Sequence, residues 1–370
     1  MTGESLNKWR AGNVFGDESM TFRTFCLAAL SAAVLTGCQT AASDEKSTAV
    51  EVLFDTPHRS ADSLWEMPDI GPVQQPFTAA LDALLAGDRA AAAGHAEKAG
   101  YKILDKAQDG KRYSILLEAD EAGVGPIVAV AATPDRNAVI QAPHPIKDSH
   151  TNKQAAVLFL KLGARALIIA GANRCAARDS SPCSGRTRIC GNGRNPYRTS
   201  DPAHNPATLF HVAHRYFSQR WPQSIVVQPH GFNNSGSSVW FVISDGSREK
   251  RPDDQMLAGR VRDAIRASLN RRDRAVSCQD PNDRSIKTRW LCATTTVQGR
   301  DLNGSEDICK KPALKSSGRF LHIEQALHEV RRPFARDWQN LSQYPGSAAI
   351  LTALARELPC LKPACAPVQP

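Results

Sequence analysis

The stretch AVIQAPHPIKDSHTNKQAAVLFLKLGARALIIA, residues 138–170, reads as a strand, a helix and a second strand in direct succession. Residues 138–142 and 166–170 are short apolar runs of the kind that form buried strands. Between them, residues 151–162 place Ala155, Leu158, Phe159 and Leu162 on one helical face. Working outward, further apolar runs lie at 127–132, 225–228, 239–243 and 320–323, and residues 206–220 and 254–269 show helical spacing. Strands alternating with helices predict an α/β fold, a mostly parallel or mixed sheet flanked by helices.

The flanks are less regular. Residues 76–100 (PFTAALDALLAGDRAAAAGHAEKAG) are Ala-rich with helical spacing and are expected to open the domain. Residues 38–75 are rich in Ala, Ser, Thr, Asp and Pro and read as a tether. The stretch 173–200 breaks the alternation with three Cys, at 175, 183 and 190, and six Arg, at 174, 178, 186, 188, 194 and 198. It reads as a disulfide-pinned basic loop. Residues 271–318 form a second irregular polar segment, and a Pro- and Cys-rich tail runs over 358–370. The expected single catalytic domain is therefore 76–357.

Near the start, MTFRTFCLAALSAAVLTGCQT (residues 20–40) carries one Arg, an apolar run over 25–35 and small residues before Cys38. The run is too short to span a bilayer, and its order of features is that of a secretory signal with a lipobox. Residues 20–37 are the expected signal peptide, Cys38 the expected lipidation site, and residues 1–19 an over-called start before Met20. Gln39, rather than Asp, follows the lipidated Cys, and its resemblance to bacterial sorting signals implies the outer membrane, on the periplasmic side of the cell envelope.

The chain of 370 residues has 46 Lys plus Arg against 37 Asp plus Glu. Cleavage after residue 37 would remove Lys8, Arg10 and Arg23 with Glu4, Asp17 and Glu18, so the excess of nine positive charges is unchanged. Such an excess points to an anionic partner. Nucleic acid is disfavoured: aromatic residues make up only 6% of the chain, and export removes the usual partner. Of ten cysteines, Cys26 leaves with the signal and Cys38 takes lipid. The other eight, Cys175, Cys183, Cys190, Cys278, Cys292, Cys309, Cys360 and Cys365, read as up to four disulfides of undetermined connectivity. The first three lack the paired spacing of a zinc knuckle.

Three polar residues sit at or after predicted strand ends: His144, His230 and Glu324. Ligands gather outside the carboxyl ends of strands in open α/β sheets. Asp148 follows His144 by four residues just before a helix, so a turn there brings imidazole and carboxylate to one cation. Two His and one carboxylate with an open position for water is the pattern of catalytic zinc. Glu324 then fits a general base, although within HIEQALHEVRR it also fits a helix residue paired with Arg331 or His328. Arg174, after a strand on the same edge, suits a substrate carboxylate. In SDPAHN (200–205), Asp201 or Asn205 reads as a helix cap, and His204 as an outer or substrate contact. Serine chemistry finds no Gly-x-Ser-x-Gly elbow.

His-x-x-x-Asp before a helix, a later His-Gly-Phe at 230–232, and a late Ile-Glu followed by Arg331 resemble the zinc-carboxypeptidase-like amidohydrolases, with poly-γ-glutamate hydrolase and N-formylglutamate amidohydrolase as the nearest branches. The resemblance spans roughly residues 120–335. It implies a zinc-peptidase architecture, His144, Asp148 and His230 as zinc ligands and Glu324 as base; the family's carboxylate-gripping residues are not located by spacing, so Arg174, Arg331 and His204 are expected in the substrate region from their places in this chain. The family's usual acidic ligand is a Glu at a different spacing, and His150 competes with Asp148 for that place. The function these readings imply is an exported, lipid-anchored, zinc-dependent hydrolase of an amide bond in an acidic, peptide-like substrate. The rival class is a non-catalytic lipoprotein binding peptidoglycan or another anionic envelope polymer through the Arg-rich loop.

Overall fold

Alternation along the strands gives the sheet two unlike faces, and the order of its strands brings four carboxyl ends to one edge. The computed structural model describes residues 47–56, 58, 66–233, 237–252, 255–283, 291–363, 365 and 368–370. The expected signal peptide and Cys38 lie outside the described residues. Helices Ala49–Asp55 (α1), Gly71–Leu85 (α2) and Arg89–Lys98 (α3) precede the hairpin Tyr101–Gln108 (β1) and Lys111–Glu118 (β2). Strands Ile127–Ala131 (β3) and Arg136–Ala142 (β4), helix Thr151–Leu162 (α4) and strand Ala164–Ile169 (β5) follow. A small ribbon, Arg186–Thr187 (β6) and Asn195–Pro196 (β7), leads to helix Leu209–Arg220 (α5) and strands Ile225–Gly231 (β8) and Phe241–Ser244 (β9). Helix Leu257–Leu269 (α6), strand Ala275–Ser277 (β10), helix Val297–Leu302 (α7), strand Phe320–Gln325 (β11) and helices Arg332–Arg336 (α8) and Pro345–Glu357 (α9) complete it.

The main sheet runs β1-β2-β3-β5-β4-β8-β11-β9-β10. The four central strands β5, β4, β8 and β11 are mutually parallel, whereas β1, β2 and β3 join antiparallel and β9 is antiparallel to β11. The sheet is thus mixed. Every strand read from apolar runs is present. The β1–β2 hairpin and β10 were not read, because β1 and β2 interleave charged residues (YKILDKAQ, KRYSILLE) and β10 is only three residues long. Asp109 and Gly110, both at positive φ, form the tight turn that joins the hairpin.

On one face, helices α1, α4, α6 and α9 pack over Ile140, Leu167, Val227, Leu321 and Ile323. Helix α4 is buried almost all round, and Phe159 at its centre is fully inaccessible. Gly163 ends it at φ 60°, the left-handed cap that glycine adopts without Cβ strain. The other face, under α2, α3 and α5, has Val139, Ala166, Val226 and Phe320 in its core.

The tether expected over 38–75 needs correcting. Thr48 and Glu51 form a reciprocal capping box, and Ala49, Val50 and Leu53 of α1 enter the core, while α2 begins at Gly71. The stretch was too short and too polar around its three core residues for its periodicity to show. Four disulfides close, Cys175–Cys190, Cys183–Cys309, Cys278–Cys292 and Cys360–Cys365. Bonds of this kind persist in oxidising, extracytoplasmic compartments. Two of them pin the basic loop as expected, and Cys360–Cys365 closes the tail, whose Pro359 carbonyl accepts from Asn137 N–H. Among the described residues no helix is long and apolar enough to cross a membrane.

Candidate metal centre

The parallel block of four strands decides what meets at its carboxyl edge. Residues two apart on a strand share a face. Val226, Gln228 and His230 therefore line up along β8, and Phe320, His322 and Glu324 along β11. Register sets them side by side as Phe320↔Val226, His322↔Gln228 and Glu324↔His230. The face passes from apolar to polar to ionisable as it approaches the edge. From the next strand, Gln141 joins the middle layer, accepting from Gln228 Nε2 at 3.0 Å.

His144 leaves β4 two residues past its end and enters a turn in which Asp148 N–H donates to the His144 carbonyl at 3.1 Å. That turn brings the Asp148 carboxylate back over the imidazole. Asp148 Oδ2 lies 3.2 Å from His144 Nδ1 and 3.1 Å from His230 Nδ1, and accepts from Gly231 N–H at 3.3 Å. The rings of His144 and His230 meet edge to face, 4.8 Å apart. His144, Asp148 and His230 are all buried. His150, the rival for the acidic position, is half-buried, sits at φ 70° before α4 and joins none of the ligand-forming clusters among the described residues.

Behind this set stands a carboxylate that the sequence reading assigned to a helix cap. Asp201 is fully buried; its Oδ1 accepts from His144 Nε2 at 2.9 Å and His204 Nδ1 at 3.0 Å. Its Oδ2 pairs with Arg174 through Nε at 2.8 Å and Nη2 at 2.6 Å. The cap of α5 is Thr208 instead, whose hydroxyl accepts from His211 N–H at 3.2 Å. Asn205 caps only its own turn, accepting from Ala207 N–H. The Asp201 reading failed because Asp shortly before a helix looks the same whether it caps or turns inward.

Arg174 is buried, and Nη1, the nitrogen not spent on Asp201, lies 3.2 Å from His144 Nδ1. His204 packs flat on Tyr197, ring centroids 3.5 Å apart, and its Nε2 meets Thr295 Oγ1 at 3.2 Å. Arg331 donates to two backbone carbonyls, from Nε to Gln325 at 3.1 Å and from Nη1 to Ser149 at 2.5 Å, so these contacts tie the His144–Asp148 turn to β11. Its guanidinium lies where a Cβ on residue 231 would stand, so a larger residue than Gly231 would displace Arg331 from these contacts.

Glu324 belongs to β11 and not to a helix, which removes its alternative reading as a helical partner of Arg331 or His328. Its Oε1 meets His322 Nε2 at 3.3 Å, and its Oε2 is buried without a hydrogen-bond partner. His322 was missed, although its place two residues before Glu324 in RFLHIE puts both on one face. Its ring lies 4.2 Å from that of His230.

The electrostatics follow from burial and pairing. Burial opposes ionisation of Asp148, but His144 and His230 outweigh it and hold its carboxyl well below the usual range. Burial likewise opposes ionisation of Asp201, which Arg174, His204 and His144 hold well below the usual range. Burial and Arg174 push the His144 imidazole down, and Asp201 with Asp148 more than reverses this, so its net shift is upward. Burial, then His322, lowers His230 well below its ordinary value, and burial takes His204 to about 4.

These residues fit a divalent cation. Two imidazole nitrogens and a carboxylate oxygen converge, a donor set suited to zinc. Asp201 holds the far nitrogen of His144, the outer carboxylate that orients a metal-binding imidazole. Glu324 Oε2 is a buried oxygen without a partner, and His230 Nε2, the ring nitrogen that does not meet Asp148, is likewise buried and unpartnered; His230 also belongs, with His322 and Glu324, to a second group of possible ligands among the described residues. The three carboxylates Asp148, Asp201 and Glu324 face two guanidiniums, Arg174 and Arg331, and the His144 imidazolium that Asp201 and Asp148 favour; a cation bound by the imidazole would take the place of that proton.

No protein-family model and no curated protein matches the chain. Among solved structures it is similar to an N-formylglutamate amidohydrolase from Ralstonia eutropha JMP134, at 12% identity and a TM-score of 0.36, over 62% of this chain and 98% of that one. A likeness at that score carries no activity over to this chain.

Proposed function

We propose that the chain is an exported, lipid-anchored, zinc-dependent hydrolase that cleaves an amide bond in an acidic, peptide-like substrate such as a γ-glutamyl or cell-wall peptide. The observation that carries this is the convergence of His144 Nδ1, His230 Nδ1 and Asp148 Oδ2 beside the unpartnered Glu324 Oε2. Those three side chains would hold the ion. Bound there, zinc would supply a water of near-neutral acidity and polarise the amide carbonyl.

The rest of the chemistry belongs to the chain's own groups. Glu324 Oε2 takes the proton of the attacking water and returns it to the leaving nitrogen. Arg174 is held by the contacts from Nε and Nη2 to Asp201; its Nη1, which lies 3.2 Å from His144 Nδ1, would donate to a substrate oxygen when that ring nitrogen holds the ion. Asp201 holds the His144 ring through Nε2. Outside, Arg178, Arg186, Arg188 and Arg194 are exposed on the loop held by Cys175–Cys190 and Cys183–Cys309, a rim that favours an acidic substrate. Anchoring through Cys38, on the periplasmic side of the outer membrane, completes the reading.

Zinc analysis of the mature protein, with γ-glutamyl-p-nitroanilide, N-acetyl-L-glutamate and a muropeptide as substrates, tests it. Stoichiometric zinc lost in His230→Ala, and turnover lost with it, is the expected result. A protein without stoichiometric metal, whose metal content His230→Ala leaves unchanged, is not this enzyme. The same exposed arginines favour a second reading, a non-catalytic binder of an anionic envelope polymer; retention of peptidoglycan without turnover would select it. Mass spectrometry of the amino-terminal peptide tests the lipid on Cys38.

A further inference from the structure

Glu324 has two carboxylate oxygens in unlike surroundings. Oε1 meets His322 Nε2 at 3.3 Å, while Oε2 has no partner although it is buried. A buried carboxylate left free to turn about its last bond would present either oxygen to a proton donor. The strand prevents this, because alternation fixes His322 and Glu324 on the same face two residues apart, and register sets Glu324 beside His230 and His322 beside Gln228. His322 itself is buried, its ring stands 4.2 Å from that of His230, and its Nδ1 has no partner. A carboxylate oxygen only accepts, so the contact requires a proton on Nε2 of His322.

We propose that His322 is the positioning residue of Glu324: its Nε2–H holds Oε1 and so reserves Oε2, the bare oxygen, for proton transfer. This rests on the proposed reaction for the role of Glu324, and on the geometry alone for the contact. His322 touches neither substrate nor water, and it acts through the orientation of the carboxylate.

The contact and the role are tested separately. Long-range 1H–15N correlation on the 15N-labelled protein, with the ring assigned by the signals that vanish in His322→Gln, reads where the His322 proton sits. A proton on Nε2 is expected; a ring with Nε2 bare overturns the inference whatever the activity. For the role, His322→Leu should lower kcat about 10–100-fold, with KM and zinc content unchanged, the scale of losing an outer orienting group. His322→Gln, whose amide nitrogen can stand near the place of Nε2, should recover most of that loss. In a Glu324→Gln background, His322→Leu should cost nothing further. Unchanged kcat in His322→Leu, or loss of zinc, overturns the role. A wild-type protein that turns over none of the three substrates sinks the proposed reaction instead, and the position of the ring proton still decides the contact.

Discussion

The two faces of the central sheet are built from the same four strands and differ in what they bury. Under α4, α6 and α9, the layer Ile140, Leu167, Val227 and Leu321 is followed toward the carboxyl edge by Ala142, Ile169 and Ile323, and its polar residues at that edge, Gln325 of β11 and Gln154 of α4, are uncharged and hydrogen-bonded to each other. Under α5 it begins apolar with Val139, Val226 and Phe320, continues through Gln141, Gln228 and His322, and ends at His230 and Glu324. Burying polar groups is costly unless they are paired. Both faces bury an apolar core, and only the second gives its carboxyl edge to ionisable groups.

The largest expected effect separates the two faces by function. Glu324→Gln should lower turnover about 10²–10⁴-fold, the contribution of a positioned general base, with zinc retained and thermal unfolding little changed. Loss of zinc in this variant would mean that Glu324 is a ligand and that the roles are misassigned. The converse change belongs to the dry face. Phe159→Ala, at a fully buried position in α4, should cost about 3–5 kcal/mol in urea unfolding, while the folded fraction keeps its zinc and its kcat. A drop in kcat without a drop in stability would erase the distinction between the faces.

A third expectation concerns acid. Burial lowers His211 on α5 to about 4 and His214 well below its ordinary value. In the unfolded chain both titrate near 6.5, so below that pH the unfolded state binds more protons and is favoured. Stability should be unaffected by these two groups above about pH 6.5 and should fall as pH drops from there toward 4. For His211 alone the loss between pH 7.5 and pH 5 is about 2 kcal/mol. Urea titrations at the two pH values read it, and His211→Gln should flatten the dependence. An unchanged slope would place the acid sensitivity outside the polar face.

Much of this contrast was legible in the sequence, and the rest was not for reasons of distance. Apolar runs announced every central strand, because strands buried on both faces carry continuous hydrophobic residues. His144, Asp148 and His230 were legible because strand ends in a parallel sheet converge whatever the intervening loops do. Asp201 was not, since it reaches His144 across 57 residues from within an irregular loop, where no periodicity reports direction. His322 was within reach, being fixed to Glu324 by strand alternation once that residue was placed on a strand. The pairing of Cys183 with Cys309, 126 residues apart, is a further long-range contact that spacing does not encode.

The smallest effect tests the residue on which sequence and structure part. Thr208 caps α5, so Thr208→Ala should cost about 1 kcal/mol, read as a small fall in urea midpoint with zinc affinity unchanged. Asp201→Asn removes no cap, yet it strips the charge that fixes Arg174 and orients His144. It should weaken zinc binding about 10–100-fold, as loss of an outer carboxylate does. The two positions are only seven residues apart, and the cap that the sequence reading put at Asp201 or Asn205 is supplied by Thr208. If Asp201→Asn lowered stability like a lost cap and left zinc affinity intact, Asp201 would be a local structural residue, and the polar face would end at His144 rather than continue behind it.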